Sequence, residues 1–286
     1  MQSNVTKRYR IGGLVWELTG PEFDHPEKME IFLCETQEPD CQVNITVTET
    51  PKPPELPEAH RDAFAKYFGK DERKGRTVYL EYDTKVLFTE REEGRRRWVE
   101  YGEMAMQYYN YKVALRILDM PHRVLRYGGV FLHASYILVD GKAILFTAPK
   151  QTGKSTQAAL WEKHRGAEVI NGDRALLRRL DGDWQAFGSP YCGTSDICRN
   201  RQAPIRVVVV LGQAKENRVS RASVREAMAA FLNGCTYATW DRVQVEAVMD
   251  LAGQIVTEVP VVKLDCVPDE SAVCALEEFL WKLETK

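Results

Sequence analysis

Hydrophobic and polar positions change their rhythm along this chain. Through the first hundred or so residues the period is mostly two. Residues 14–18, 31–34 and 43–47 alternate as strands do. The run TPKPPELP at 50–57 excludes helix and central strand and predicts an extended connector. A short helix is expected over 60–68. Then 77–82, 85–89, 95–101 and 104–109 predict an antiparallel meander, with turns at Tyr82-Asp83-Thr84-Lys85 and Glu92-Glu93-Gly94.

From 113 to 126 the period lengthens to a helical one, broken at Pro121. VFLHASYILV at 130–139 is strand-like, Asp140-Gly141 is a two-residue turn that needs positive φ, and 142–147 is the returning strand. That turn fixes the register: Val139 pairs with Lys142, Ile137 with Ile144, and His133 falls opposite Ala148. Next come a loop, a helix carrying Ala158, Ala159, Leu160 and Trp161, a strand at 167–171, and a hairpin of 175–180 with 184–187. A strand at 205–211, helices opened by the capping box Ser223-Val224-Arg225-Glu226 and by Asp241, a buried strand at 261–264 and a terminal helix at 269–283 complete the pattern. The second half is therefore α/β, and the chain is α+β as a whole.

With 286 residues, the chain is expected to hold two domains, a strand-rich α+β region over 1–125 and a second over 126–286. A formal charge of -2 supplies no field for nucleic acid or an acidic membrane surface, so neither is an expected partner. The run REEGRRR at 91–97 reads as a solvated hairpin tip, since Glu92 and Glu93 offset its arginines, and the Tyr108, Tyr109, Tyr111 cluster reads as packing. No apolar run is long enough for a membrane span, and MQSNVTKRYRIGG lacks the apolar core of a secretion signal; a cytoplasmic protein is expected. Seven cysteines without C-x-x-C or zinc spacing read mostly as small hydrophobes.

Candidate chemistry begins where the 142–147 strand ends. Strand, loop and helix in the order AILFT-APKQTGKS-TQAALW would aim backbone N–H groups and a helix N-terminus at phosphate oxygens. The cradle is Ala148, Pro149, Lys150, Gln151, Thr152, Gly153, Lys154, Ser155 and Thr156. Lys154 would meet the β- and γ-phosphates of ATP and the Ser155 hydroxyl would ligate Mg²⁺. Ala148 stands where the G-x-x-x-x-G-K-[ST] pattern has its first glycine, and Pro149 has no N–H, so the loop must enter by a different path or carry strain at Ala148. The competing reading is a chance G-K-S at a helix start with Lys154 solvated.

The next strand delivers Gly172 and Asp173. Asp173 is placed to hold Mg²⁺ or to take a proton from an attacking hydroxyl, unless Gly172-Asp173 merely closes a bend. His133, at the loop entrance by register, would support the site through a hydrogen bond. The stretch GSPYCGTSDICRNRQAP at 188–204 is polar and long between two apolar strands, as functional loops are. Ser189, Cys192, Gly193 and Thr194 would lie at its mouth, and Arg199, Arg201 or Arg206 could neutralise a transferring phosphoryl group. Residues 213–218, beyond a strand end, could face the adenine.

LHAS at 132–135, the hairpin into APKQTGKST, VINGD at 169–173, and GSPYCGT followed by APIRVVVVL resemble the HPr kinase/phosphorylase-like group, itself similar to phosphoenolpyruvate carboxykinases in its nucleotide core. The resemblance spans roughly residues 126–283. It implies a P-loop kinase core, ATP and Mg²⁺ as cofactors, and transfer to a serine hydroxyl of a protein or peptide. A small-molecule hydroxyl remains an alternative acceptor, and homo-oligomers are compatible with it. That group usually has two adjacent aspartates where this chain has Gly172-Asp173, which leaves a nucleotide-binding module without transfer as the rival reading. The strand-rich first half would bind substrate or a partner, in the simplest case a peptide added to a sheet edge.

Overall fold

Two sheets organise the protein, one in each of the units Met1–Met120 and Pro121–Lys286. The computed structural model describes residues 4–24, 26–35, 38–51, 60–61, 66–71, 75–82 and 85–285.

In the first unit the strands are β1 (Val5–Ile11), β2 (Leu14–Gly20), β3 (Cys41–Thr48), β4 (His60–Arg61), β5 (Lys66–Asp71), β6 (Gly75–Tyr82), β7 (Lys85–Glu93) and β8 (Arg96–Gly102). They lie in the order β1-β2-β3-β8-β7-β6-β5-β4, with β3 parallel to both β2 and β8. Gly12 and Gly13, at φ 66° and 71°, make the tight turn from β1 to β2. Trp16, Tyr9, Phe32, Phe88 and Tyr101 fill the core beneath. Burying each such side chain contributes about 1.5–3 kcal/mol.

Four local expectations are corrected here. Residues 31–34 are not a strand: they follow the single turn α1 (Glu27–Glu30) and make one bridge, Leu33 to Tyr9. The described parts of 60–68 are strand, not helix, because they pair along the β6 edge of the sheet through β5. Residues 104–109 form a 3-10 turn, Glu103–Tyr108, with Tyr109 buried against Tyr101 and Phe23 at ring distances of 5.0 and 6.0 Å. The β7–β8 turn is Gly94-Arg95, one residue later than expected. From residue 52 the expected connector lies outside the described residues, as do 83 and 84 of the β6–β7 turn.

The charge run is corrected as well. Strand alternation turns Glu90, Glu92 and Arg97 to the inner face while Arg91 and Glu93 face out. Arg97 is fully buried, 2.6 Å from Glu92, 3.0 Å from Glu90 and 3.4 Å from Asp119, and it donates to the Ile117 carbonyl at 2.9 Å. Burial works against the guanidinium charge, and the three carboxylates more than offset it. Ile117 and Asp119 come from α2 (Tyr111–Leu118) and its left-handed C-cap, Asp119 at φ 50°, which stops the helix before Pro121 does.

After the single turn α3 (Met120–Arg123) come β9 (Gly129–Val139), β10 (Lys142–Thr147), α4 (Lys154–Arg165), β11 (Glu168–Asn171), β12 (Arg174–Leu180), β13 (Asp183–Phe187) and β14 (Gln202–Gln213). Then follow β15 (Arg218–Arg221), α5 (Val224–Gly234), α6 (Arg242–Glu258), β16 (Val261–Cys266) and α7 (Glu270–Glu284). The pairings close on themselves: β9 pairs β12, β12 pairs β13, β13 pairs β14, β14 pairs β10, and β10 returns to β9. The long strands β9 and β14 each serve two parts of this ring. Leu132, Tyr136, Leu145 and Val208 pack toward Phe231 of α5 and Ile255 of α6. Ile137, Phe146 and Val209 pack toward Trp161 of α4 and Leu276 of α7. The unit is thus a mixed sheet covered on two sides by helices. Among the described residues no helix is long and apolar enough to cross a membrane. All seven cysteines are free, Cys41 and Cys192 buried, Cys274 exposed and the other four between.

Candidate functional site

Asp140 and Gly141 adopt φ 49° and 75°, and the hairpin they close pairs Val139 with Lys142 and Ile137 with Ile144. Ladder pairing stops at Thr147 with Ala134, one residue short of His133 and Ala148, and the Thr147 hydroxyl donates to the His133 carbonyl at 3.1 Å. Because β14 runs parallel to both β10 and β16, the three strands end on the same side.

The loop leaving β10 turns its carbonyls inward onto donors. Lys154, at the start of α4, is buried and donates to the Ala148 and Pro149 carbonyls at 2.9 and 3.1 Å. Thr152 Oγ1 donates to Pro149 O at 3.0 Å, and Gln213 at the end of β14 donates to Gln151 O at 3.2 Å. Ala148 is not strained; the left-handed residues are Gln151 at φ 64° and Gly153 at φ 109°. Only glycine adopts the latter readily. Gly153 is the N-cap of α4, with no side-chain cap hydrogen bond, so the first N–H groups of a twelve-residue helix open toward the loop. Ser155 and Thr156, in that first turn, are exposed, as are Pro149, Lys150 and Gln151. Burial pulls the Lys154 ammonium below its ordinary pKa and Lys150 adds to this, while Asp173 works in the other direction.

On the opposite edge of β9, Asn171 shapes the junction of β11 and β12. Its fully buried Oδ1 accepts from the backbone N–H of Asp173 at 2.8 Å and of Arg174 at 2.7 Å, and its Nδ2 donates to the Ser189 carbonyl at 2.8 Å. This asparagine turn holds Asp173 beside His133: Nδ1 lies 3.2 Å from Asp173 Oδ1 and 3.0 Å from Asp173 O. Arg174 Nε stands 3.5 Å from Oδ2. Burial pushes the Asp173 carboxyl up, but the His133 hydrogen bond, Arg174 and Lys154 together outweigh it and hold the group below the usual carboxylate range. Asp173 is ionised at neutral pH.

β10 and β12 flank β9, so the loop and the carboxylate lie on opposite edges of one strand. Residues 188–204 close over the carboxylate side. The Arg199 N–H donates to Ile170 O at 2.9 Å and Gly188 N–H to Arg201 O at 2.8 Å, and Cys198 bridges Asn171. Ser189 and Cys192 are buried rather than open at a mouth. The Ser189 hydroxyl donates to the Arg174 carbonyl at 2.7 Å. Gly193, at φ 58°, and Thr194 are exposed, and a Cβ on Gly193 would stand 2.7 Å from Asp173 Cγ. Arg199 and Arg201 reach Glu168 on β11, at 2.8 and 3.7 Å, and Arg206 reaches Glu284 at 2.9 Å. Those three guanidinium groups are therefore engaged by carboxylates outside the His133–Asp173 pair.

Asn171, Arg174 and Ser195 belong to the site and do not stand out by residue type. Asn two residues before Asp is nevertheless an Asx-turn signal, and it was available in the run NGD. Among the described residues no group of three or more His, Cys, Asp and Glu is placed to hold a metal ion. A site of one carboxylate and one hydroxyl, Asp173 and Ser155, suits Mg²⁺, which keeps several waters and takes its remaining ligands from phosphates.

No protein-family model matches the chain, and no curated protein matches it. Among solved structures the chain is similar to the HPr(Ser) kinase/phosphatase from Coxiella burnetii, at 13% identity and a TM-score of 0.33, over 54% of this chain and 93% of that one.

Proposed function

We propose that the second unit is a kinase that binds ATP with Mg²⁺ and transfers the γ-phosphoryl group to a hydroxyl, that of a serine in a protein or peptide. The observation that carries this reading is the pairing of an uncapped helix N-terminus, at Gly153, with an ionised carboxylate, Asp173, on the two edges of one strand. The first attracts phosphate through N–H groups and the helix dipole; the second serves a metal or a proton.

In this scheme the backbone of 149–154 surrounds the phosphates. Lys154 exchanges two neutral carbonyl partners for phosphate oxygens, a charge-assisted and stronger contact. Ser155 and Asp173 would hold Mg²⁺, which neutralises charge on the phosphates. Asp173 also receives the proton of the acceptor hydroxyl, while His133 keeps the carboxylate ionised and oriented. Positioning and charge neutralisation are the bulk of what phosphoryl transfer requires. Gly193 and Thr194, exposed beside Asp173, are the part of loop 188–204 that would face the acceptor.

A second reading, nucleotide binding without transfer, is favoured by Gly172. A Cβ there would lie 2.1 Å from Ser195 Oγ, so the loop occupies the room that a second carboxylate would need. Equilibrium binding of ATP together with radiolabel transfer from ATP and Mg²⁺ to candidate acceptors separates the two. The kinase reading expects binding that weakens in Lys154→Ala and transfer that falls by about 10²–10⁴-fold in Asp173→Asn. Tight binding with no transfer, indifferent to Asp173→Asn, leaves only the second reading; absence of ATP binding removes both.

A further inference from the structure

We infer that the chain carries an acceptor of its own: Ser195, in loop 188–204, is a phosphorylation site served in cis by the site around Asp173. The inference rests on the kinase reading and names a substrate for it.

Two glycines let this loop come down on the carboxylate. Gly172 precedes Asp173, and a Cβ on it would stand 2.1 Å from Ser195 Oγ and 2.5 Å from Ser195 Cβ, so the serine side chain rests directly on the Gly172 backbone. Gly193, two residues before Ser195, touches the Asp173 carboxyl in the same manner, 2.7 Å from Cγ to a Cβ built there. Gly193 thus lies against the Asp173 carboxyl and Ser195 against the residue that precedes it. The arrangement is tied on both sides of the turn. Ile170 holds Arg199, Asn171 bridges Cys198 and also holds the Ser189 carbonyl, and Gly188 is joined to Arg201. Within the turn, Ser195 Oγ donates to the Cys192 carbonyl at 2.7 Å. A hydroxyl so delivered needs no second molecule, and its effective concentration at the carboxylate far exceeds that of any free acceptor.

The transfer balances with ATP as the only co-reactant. Ser195 Oγ bonds to the γ-phosphorus, the bond from that phosphorus to the β,γ-bridging oxygen breaks, and the electron pair leaves with ADP. The hydroxyl proton, now shared with Cys192 O, passes to the Asp173 carboxylate and on to solvent. The product cannot stay where its precursor lay. A phosphoserine carries a charge of about -1.5 to -2 and three bulky oxygens beside an aspartate, against a surface with no room for one methyl group.

The test is incubation of the full chain with γ-labelled ATP and Mg²⁺, phosphopeptide mapping, and parallel measurement of ATP binding and ADP release. Expected are stoichiometric label on Ser195, a rate per chain unchanged over roughly a 100-fold range of protein concentration, and loss of label in Asp173→Asn. Ser195→Ala should also lose the label, its fold checked by circular dichroism. ADP release or transfer to an added peptide with no label on Ser195 overturns the inference and spares the kinase reading. Label confined to Thr194 or elsewhere, or a rate that climbs with protein concentration, overturns it too. Absence of ATP binding removes both.

Discussion

His133 Nδ1 makes two contacts with one residue, 3.0 Å to the main-chain oxygen of Asp173 and 3.2 Å to its carboxylate. Since His133 lies opposite Arg174 in the β9–β12 ladder, sheet register and side-chain chemistry enforce the same neighbourhood.

His133→Ala should move the acid limb of the transfer rate toward neutral pH. Burial alone raises the Asp173 carboxyl, and the His133 hydrogen bond is the strongest influence opposing it. Without that bond the carboxylate protonates at higher pH. A kcat/KM profile against pH checks the shift; a limb that stays put would show that Asp173 is not the group titrating.

The same depressed carboxyl contributes to stability. Its folded pKa lies below the unfolded value of about 4, so the contribution is complete above that pH and is lost as pH falls through the folded pKa. Asp173→Asn should therefore lower Tm at neutral pH by more than it does in strong acid. Thermal melts at a series of pH values read the difference directly.

Asn171 is a positioning residue. Asn171→Ala removes the acceptor of two backbone N–H groups and the donor to Ser189 O, at a cost of about 1–3 kcal/mol for each buried group left unsatisfied. The expected signature is a fall in kcat with little change in KM for ATP, because α4 and its loop lie across β9. Equal damage to both parameters would mean general disruption.

Gly172→Ala should destabilise by about 1–3 kcal/mol, since the added methyl meets Ser195 at less than van der Waals distance. Ser195→Gly in the same chain should restore most of the loss. A double-mutant cycle in urea measures the coupling, and strict additivity would place Ser195 elsewhere.

In the first unit, Arg97→Met should cost about 3–5 kcal/mol, because Glu90, Glu92 and Asp119 then keep their burial without their shared cation. The urea midpoint should fall accordingly. A variant as stable as the parent would mean that water reaches the cluster freely.

The hairpin of β9 and β10 was legible because one turn, Asp140-Gly141, dictates conformation and register together. The helices opened by Ser223, Asp241 and Asp269 were legible through their caps. Arg97 was hidden because charge alone does not tell an outward position from an inward one; only the pairing of β7 with β8 does. The contact of His133 with Asp173 was hidden for a related reason. Sequence spacing supplied one edge of β9, toward Ala148, while the edge toward Asp173 depends on the pairing of β12 with β9. Ser189, Cys192 and the arginines of loop 188–204 looked alike as polar loop residues, and their roles separated only through individual partners such as Arg174 O and Glu168.

β9 acts as a ruler read from both sides. Inserting one residue between Asp140 and Gly141 would slide β10 along it by about 3.3 Å, while Asp173 stays locked to His133 on the other edge. Such a chain would keep its carboxylate pair intact yet offer it to the loop of 148–153 out of step by one residue, a way, on the proposed kinase reading, to uncouple ATP capture from transfer by editing a turn that touches neither.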